Sequence, residues 1–262
     1  MSTELLAGWS VSPFSYDGIT HDVYRSGEGP GVILVPEIPG ATPEVIALGE
    51  RLVAAGFHVA LPSIIGTPGR PASGGYIAGS ALRMCVSREF AAFARRADRP
   101  IAGFLRALAR DVHADRGGPG VGVIGMCFSG GFALATAADD SVLAPVVSQP
   151  ALPPAIGAGR SATGLSPAEE SAVLRRAGDG LCALGLRFTH DRSVPEERFA
   201  AFERLLGEGW RAFEIDSSPG NPEGIPANAH SVLTDASATT PGHPTHRANE
   251  RVVEFLRERL MS

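Results

Sequence analysis

A cysteine, an aspartate and a histidine stand far apart in this 262-residue chain, each just past an apolar run. Cys127 interrupts "VIGMCFSGGFALA", where β-branched residues give way to small, helix-tolerant ones. Gly125 lies two residues before it, and Ser129 and Gly130 come just after. In such a glycine-x-nucleophile-x-small pattern, the small neighbours let strand and helix approach closely and lift one side chain into the open. A thiol there also meets the positive end of a helix dipole, which favours the thiolate. A nucleophile needs a base, and the base needs an orienting acid. Asp191 follows the strand-like "LCALGLRF", and His230 follows "RAFEIDS" and a turn-rich stretch. The chemistry expected is thiolate attack on an acyl carbonyl. His230 takes the thiol proton and returns it to the leaving group, while Asp191 holds the imidazole tautomer. Taken singly, each residue has a plainer reading: a packing corner for Cys127, a turn cap for Asp191, a solvated loop for His230. Their order and shared position at strand ends set the chemical reading above these.

Positioning them requires a sheet. "GPGVILVPEIPG", "FHVALP", "GVGVIG", "VLAPVVSQP", "LCALGLRF" and "RAFEIDS" read as short buried strands, preceded by strands around Ser10–Tyr24. Helices are expected over "EVIALGERLVAAG", over Ile101–Val112, after Cys127, from Ser166 to about Ala177, over "PEERFAAFERLLGEG" and over "ANERVVEFLRERL". Thr42 and Pro43 suggest an N-cap and first-turn proline, and Ser166-Pro167-Ala168-Glu169 a capping box. Ser63 to about Ala81 reads as a long Gly/Pro-rich loop, and 63–100 as a lid candidate. Alternating strands and helices, the strands nearly all apolar, predict an α/β fold with a mostly parallel, doubly wound sheet covered on both faces. No linker or repeat divides residues 1–262, so one domain is expected.

Bulk properties narrow the partners. The net charge is −5 with no basic block, which argues against nucleic acid. There is no apolar run of about 18 residues, and so no expected membrane span. The first residues lack a basic segment followed by an apolar core, so no secretory signal is expected. Three widely spaced cysteines, Cys85, Cys127 and Cys182, suit reduced thiols and a cytoplasmic location. Cys85 and Cys182 read as core residues. His243 and His246, in "PGHPTHR", lack a third ligand at metal-binding spacing and read as loop residues. Neither a metal nor an organic cofactor is implied, and the oligomeric state is open.

"PEIPG", "GMCFSGG", "HDRSVP" and "AHS…ANERVVEFL" together resemble the dienelactone hydrolase family of α/β-hydrolases, from about Gly31 to the last helix. The resemblance implies that Cys127, His230 and Asp191 are the triad. It implies that Glu37 contacts the resting thiol and assists its activation, and that the backbone N–H groups of Ile38 and Phe128 form an oxyanion hole. That agrees with the local reading: one donor follows the nucleophile, the other comes from the loop after an earlier strand. On its own, Glu37 between an apolar strand and prolines reads first as half of a structural ion pair.

Two departures stand out. Ser129 replaces the family's usual glycine, and serine is small enough for the turn. Members acting on dienelactone carry an arginine shortly after the histidine, whereas "HSVLTD" offers Thr234 and Asp235, and an acid there would repel an anionic substrate. Arg83 and Arg88 are alternative carboxylate-binding candidates, or surface ion-pair partners, Glu89 being one choice. The expected function is hydrolysis of an ester or lactone of a small substrate through a thiol acyl-enzyme. Acyl transfer or thioester cleavage by the same residues, and ligand binding without turnover, are the alternatives.

Overall fold

The computed structural model describes residues 5–91 and 96–261. Eight strands form one sheet in the order β1-β2-β4-β3-β5-β6-β7-β8. They are β1 (Ser10–Tyr16), β2 (Ile19–Ser26), β3 (Gly31–Val35), β4 (His58–Pro62), β5 (Val121–Met126), β6 (Val142–Ser148), β7 (Ala183–Phe188) and β8 (Trp210–Ile215). β1 and β2 form an antiparallel hairpin, β2 pairs antiparallel with β4, and β3 to β8 run parallel. Every residue of β3, β4, β5 and β7 is buried. That is why those strands read as continuous apolar runs and not as alternating ones.

Seven helices of the described residues are used below: α1 (Pro43–Ala54), α2 (Gly74–Val86), α3 (Pro100–Arg116), α4 (Gly130–Thr136), α5 (Pro167–Gly178), α6 (Glu196–Leu206) and α7 (Pro244–Leu260). Two cores follow from the strand pleat. Val32, Leu34, Ile124 and Met126 face one way, onto Ile46 and Leu52 of α1 and Val252, Phe255 and Leu256 of α7. Ile33, Val35 and Val123 face the other, onto Phe104 and Leu108 of α3, Phe132 of α4 and Phe202 of α6. Burying each such leucine or phenylalanine contributes about 1.5–3 kcal/mol, so the sheet is held from both sides.

The caps show which local signals operate. Ser166 Oγ accepts the Glu169 N–H at 3.2 Å, and a Glu169 carboxylate oxygen accepts the Ser166 N–H at 2.9 Å. The second Glu169 oxygen accepts from Arg106 at 2.8 Å, which ties α5 to α3. Thr42, by contrast, sits at the N-cap of α1 without a capping side-chain hydrogen bond; Pro43 alone carries that signal.

Three readings need correction. The Gly/Pro-rich stretch does not stay irregular to Ala81, because α2 begins at Gly74. Its anchors are tertiary: Ser80 Oγ donates to the Pro39 carbonyl at 3.3 Å, and Met84 is buried in the core. Residues 92–95 of the lid candidate lie outside the described residues. "PGHPTHR" is not a loop but the start of α7, where His243 Nδ1 accepts the Thr245 N–H at 3.3 Å and His246 pairs with Glu250 at 3.5 Å. Cys182 precedes β7, half-buried, with its sulfur 3.7 Å from the Gly180 carbonyl. Among the described residues, no helix is long and apolar enough to cross a membrane.

Candidate active site

β5 ends at Met126, and the chain turns at once through Cys127 into a three-residue 3-10 turn and then α4. Cys127 has φ 55°, a left-handed conformation that costs a non-glycine residue on the order of 1–3 kcal/mol. Close packing holds it there. A Cβ on Gly125 would lie 2.2 Å from the Ser129 carbonyl oxygen, and one on Gly130 would lie 2.7 Å from the Ser148 carbonyl oxygen. Ser129 does more than fit the turn. Its hydroxyl accepts the Met126 N–H at 2.9 Å and lies within donor range of the Met126 (2.9 Å) and Val35 (3.2 Å) carbonyls. The hydroxyl thus ties the elbow to the end of β3, where a glycine would leave no link.

Gly125→Ala is therefore expected to destabilise the protein by about 1–3 kcal/mol or more, since backbone atoms must move to admit the methyl group. Thermal melting beside the wild type checks this; an unchanged midpoint would mean that the elbow has slack.

The strand register sets the neighbours. Val35, Gly125 and Val147 are aligned across β3, β5 and β6. Two residues further on, the same row brings Glu37, Cys127 and Gln149 to the carboxyl edge of the sheet. Asp191 follows β7 and His230 follows β8, so five consecutive strand ends converge.

His230 Nδ1 lies 2.5 Å from Asp191 Oδ2, an oxygen of a buried carboxylate. On its other side the imidazole feels the Cys127 thiol. Burial alone would lower the His230 pKa. The hydrogen bonds and negative charges of Asp191 and Cys127 outweigh burial and raise it to about 11. A cleft of about 530 Å³ beside the pair is lined by His190, Asp191, Arg192, Ser193, Asn228 and His230. A larger one, about 780 Å³, lies against α5 and α6 around Thr163, Glu170 and Arg204 and touches neither Cys127 nor His230. The smaller cleft reaches Asp191 and His230 but not Cys127.

Glu37 is 6 % exposed, and its hydrogen bonds run to a neutral cage. Gln149 Nε2 (3.2 Å) and Ser231 Oγ (3.0 Å) donate to Oε2, and Thr234 Oγ1 donates to Oε1. Burial raises the Glu37 pKa; the cage hydrogen bonds and the nearby His230 charge oppose the rise without cancelling it. Among the described residues Glu37 has no ion-pair partner, so the structural ion-pair alternative falls; nor does it hydrogen-bond Cys127, so the contact with the resting thiol that the resemblance implies is absent here, the cage holding the carboxyl group instead. Ile38 is half-buried beside it, before Pro39, which has no N–H. Phe128 is the first residue after Cys127, where helix-start N–H groups lack intrahelical acceptors.

Arg83 and Arg88 are exposed, and neither forms an ion pair among the described residues. Glu89 pairs with His21 at 3.1 Å instead of with Arg88. Asp235 accepts the Ser237 N–H at 2.8 Å and caps a turn. Two contributors escape a sequence reading. Gln149 carries no motif, although a polar residue between a strand end and Pro150 is its only signal. Arg198, fully buried on α6, donates to the carbonyls of Pro150 (2.6 Å), Pro153 (2.5 Å), Gly159 (2.6 Å) and Ser193 (3.3 Å). It joins the loop after β6 to the loop that carries Asp191.

This sheet order, with a strained elbow after β5 and its neighbours at later strand ends, defines an α/β-hydrolase. Solved structures of that fold cover almost the whole chain. A dienelactone hydrolase from Anabaena variabilis ATCC 29413 is 15% identical, with TM-score 0.56 over 96% of this chain and 98% of its own. The α/β-hydrolase GrgF from Penicillium sp. sh18 is 17% identical, with TM-score 0.61 over 97% and 99%. The dienelactone hydrolase-like promiscuous phosphotriesterase P91, from metagenomic libraries, is 17% identical, with TM-score 0.60 over 96% and 98%. Among curated protein sequences none matches. The model of the dienelactone hydrolase family matches residues 19–260, and the chain belongs to that family. It is a hydrolase of ester or lactone bonds.

Proposed function

We propose that Cys127, His230 and Asp191 are a catalytic triad that hydrolyses an ester or lactone of a small molecule through a thiol acyl-enzyme. The observation carrying this reading is the imidazole 2.5 Å from a buried carboxylate at the strand end beside the strained elbow that carries the thiol. In the acylation step the imidazole takes the thiol proton, and the sulfur faces it as thiolate. The sulfur attacks the acyl carbonyl, and the N–H groups of Phe128 and Ile38 receive the developing oxyanion. The intermediate collapses by expelling the alcohol oxygen, which takes the proton from His230.

Acylation changes the base. The thiolate charge that raised the His230 pKa is gone, so the imidazole becomes able to deprotonate water. Hydroxide attack on the thioester and return of the proton to sulfur release the acid. Asp191 holds the imidazole orientation throughout. Arg83 and Arg88 offer exposed charge to an anionic substrate. The three cysteines are unpaired, which suits a reducing, cytoplasmic setting.

Brief mixing with an activated aryl ester, followed by intact mass and peptide mapping, tests the mechanism. An acyl group on the Cys127 peptide, absent from Cys127→Ala, is the expected result. Equal turnover by both proteins without an adduct would remove Cys127 as nucleophile.

A further inference from the structure

Glu37 and Gln149 follow β3 and β6, with β5 and Cys127 between them. Two strand spacings separate their backbones by about 9–10 Å. Their side chains nevertheless meet at 3.2 Å, so an amide–carboxyl bridge spans the elbow. Gln149 is fully buried with φ 30°, an unfavourable conformation for a non-glycine residue. Its N–H is fixed to the Leu186 carbonyl at 2.7 Å. The Ser148 hydroxyl donates to Gln149 Oε1, which leaves Nε2 as the atom that can face Glu37. The amide therefore presents a donor to Glu37; reversed, it would set its oxygen against a carboxylate oxygen.

We infer that Gln149 is a positioning residue: with Ser231 and Thr234 it holds the Glu37 carboxyl group off the sulfur, leaving the Cys127 thiol to His230. The inference rests on the proposed role of Cys127 but goes beyond it, to a residue with no part in the triad. Ser231 and Thr234 hold Glu37 from the His230 loop, and Gln149 is the restraint from the opposite flank of the elbow. Without it, the carboxyl group turns toward the sulfur next to it in the row. A carboxylate there opposes the thiolate by like charge, and a carboxylic acid hydrogen-bonds the sulfur and lowers its nucleophilicity.

Alkylation by iodoacetamide, with the modified peptide mapped to Cys127, reads the thiol without requiring turnover. Gln149→Met keeps the side-chain length and removes the donor. It is expected to slow alkylation of Cys127 about three- to tenfold at neutral pH. In a Glu37→Gln background the same change is expected to alter the rate by less than about twofold, because Gln149 acts through the carboxyl group. An unchanged rate in Gln149→Met, or the same loss in both backgrounds, overturns the inference. Should Gln149→Met fail to fold, Ser148→Ala carries the comparison: a smaller loss in the same direction, absent with Glu37→Gln, supports it, and no change overturns it. If the wild type forms no acyl adduct yet alkylation follows this pattern, the hydrolytic mechanism falls and the positioning role stands. An acyl adduct without the pattern gives the reverse.

Discussion

Replacing His230 with glutamine lowers kcat/KM for an activated ester about 10²- to 10⁴-fold, the range expected when a general acid–base is removed. The loss has two sources. Without the imidazole Cys127 loses the group that takes its proton, and after acylation the base that activates water is gone. Initial rates on one ester check the size; a loss below about tenfold would place the base elsewhere.

The same variant gives a second reading, through stability. The folded pKa of His230 is raised from 6.5 to about 11, so the folded protein binds this proton more tightly than the unfolded chain. The resulting stabilisation is fully present below about pH 6.5 and is lost as pH rises toward about 11. The melting temperature of the wild type should therefore exceed that of His230→Gln most at mildly acid pH, with the gap closing through this window. A gap that widens with pH would contradict the proton's being held by Asp191 and Cys127.

Arg198→Met is the substitution expected to cost most in stability. The guanidinium is fully buried and donates to four carbonyls, with no carboxylate of the described residues in ion-pair contact. Burial lowers its pKa to about 10, against the favourable charge of Asp191, so it stays charged near neutrality. Methionine fills part of the space but takes the guanidinium donors from all four carbonyl oxygens, of which Gly159 keeps the Ala162 N–H at 3.4 Å. At about 1–3 kcal/mol for each group left buried and unpaired, partly relieved by relaxation, the total is about 3–5 kcal/mol. For a chain of this size that is a fall in Tm on the order of 10 °C. Activity should fall further than stability explains, because the Asp191 loop and the Pro150 loop lose their common tie. The Pro150 loop also supports the elbow, since the Ala151 N–H donates to the Cys127 carbonyl at 2.9 Å. A midpoint within a degree or two of the wild type would show that water replaces the guanidinium at no cost.

The parts legible in the sequence are those that local chemistry determines. β3, β5 and β7 are buried on both faces and so read as apolar runs, and the glycines around Cys127 announce a turn that only small residues allow. The Ser166 capping box is complete within four residues. α2 escaped because Gly74, Gly75 and Gly79 are poor helix formers, and its stability comes from Ser80 on the Pro39 carbonyl and Met84 in the core. Nothing within the segment encodes either contact. The Glu37 cage was half visible: Thr234 stood out where an arginine was expected, but its bond to Glu37 spans nearly the whole chain. Gln149 became meaningful only once the register of three strands put it in the row of Glu37 and Cys127.

Arg198 also bears on how such a chain can change over generations. A guanidinium that grips main-chain oxygens makes no demand on the side chains at 150, 153, 159 and 193, only on the path of the backbone. As far as the arginine is concerned those positions can drift in residue type, and the drift leaves no paired substitution as a trace; Gly159 is held for a separate reason, since a Cβ there would lie 2.1 Å from the Pro154 carbonyl oxygen. A search for co-varying positions would therefore pass over the residue that joins the two loops.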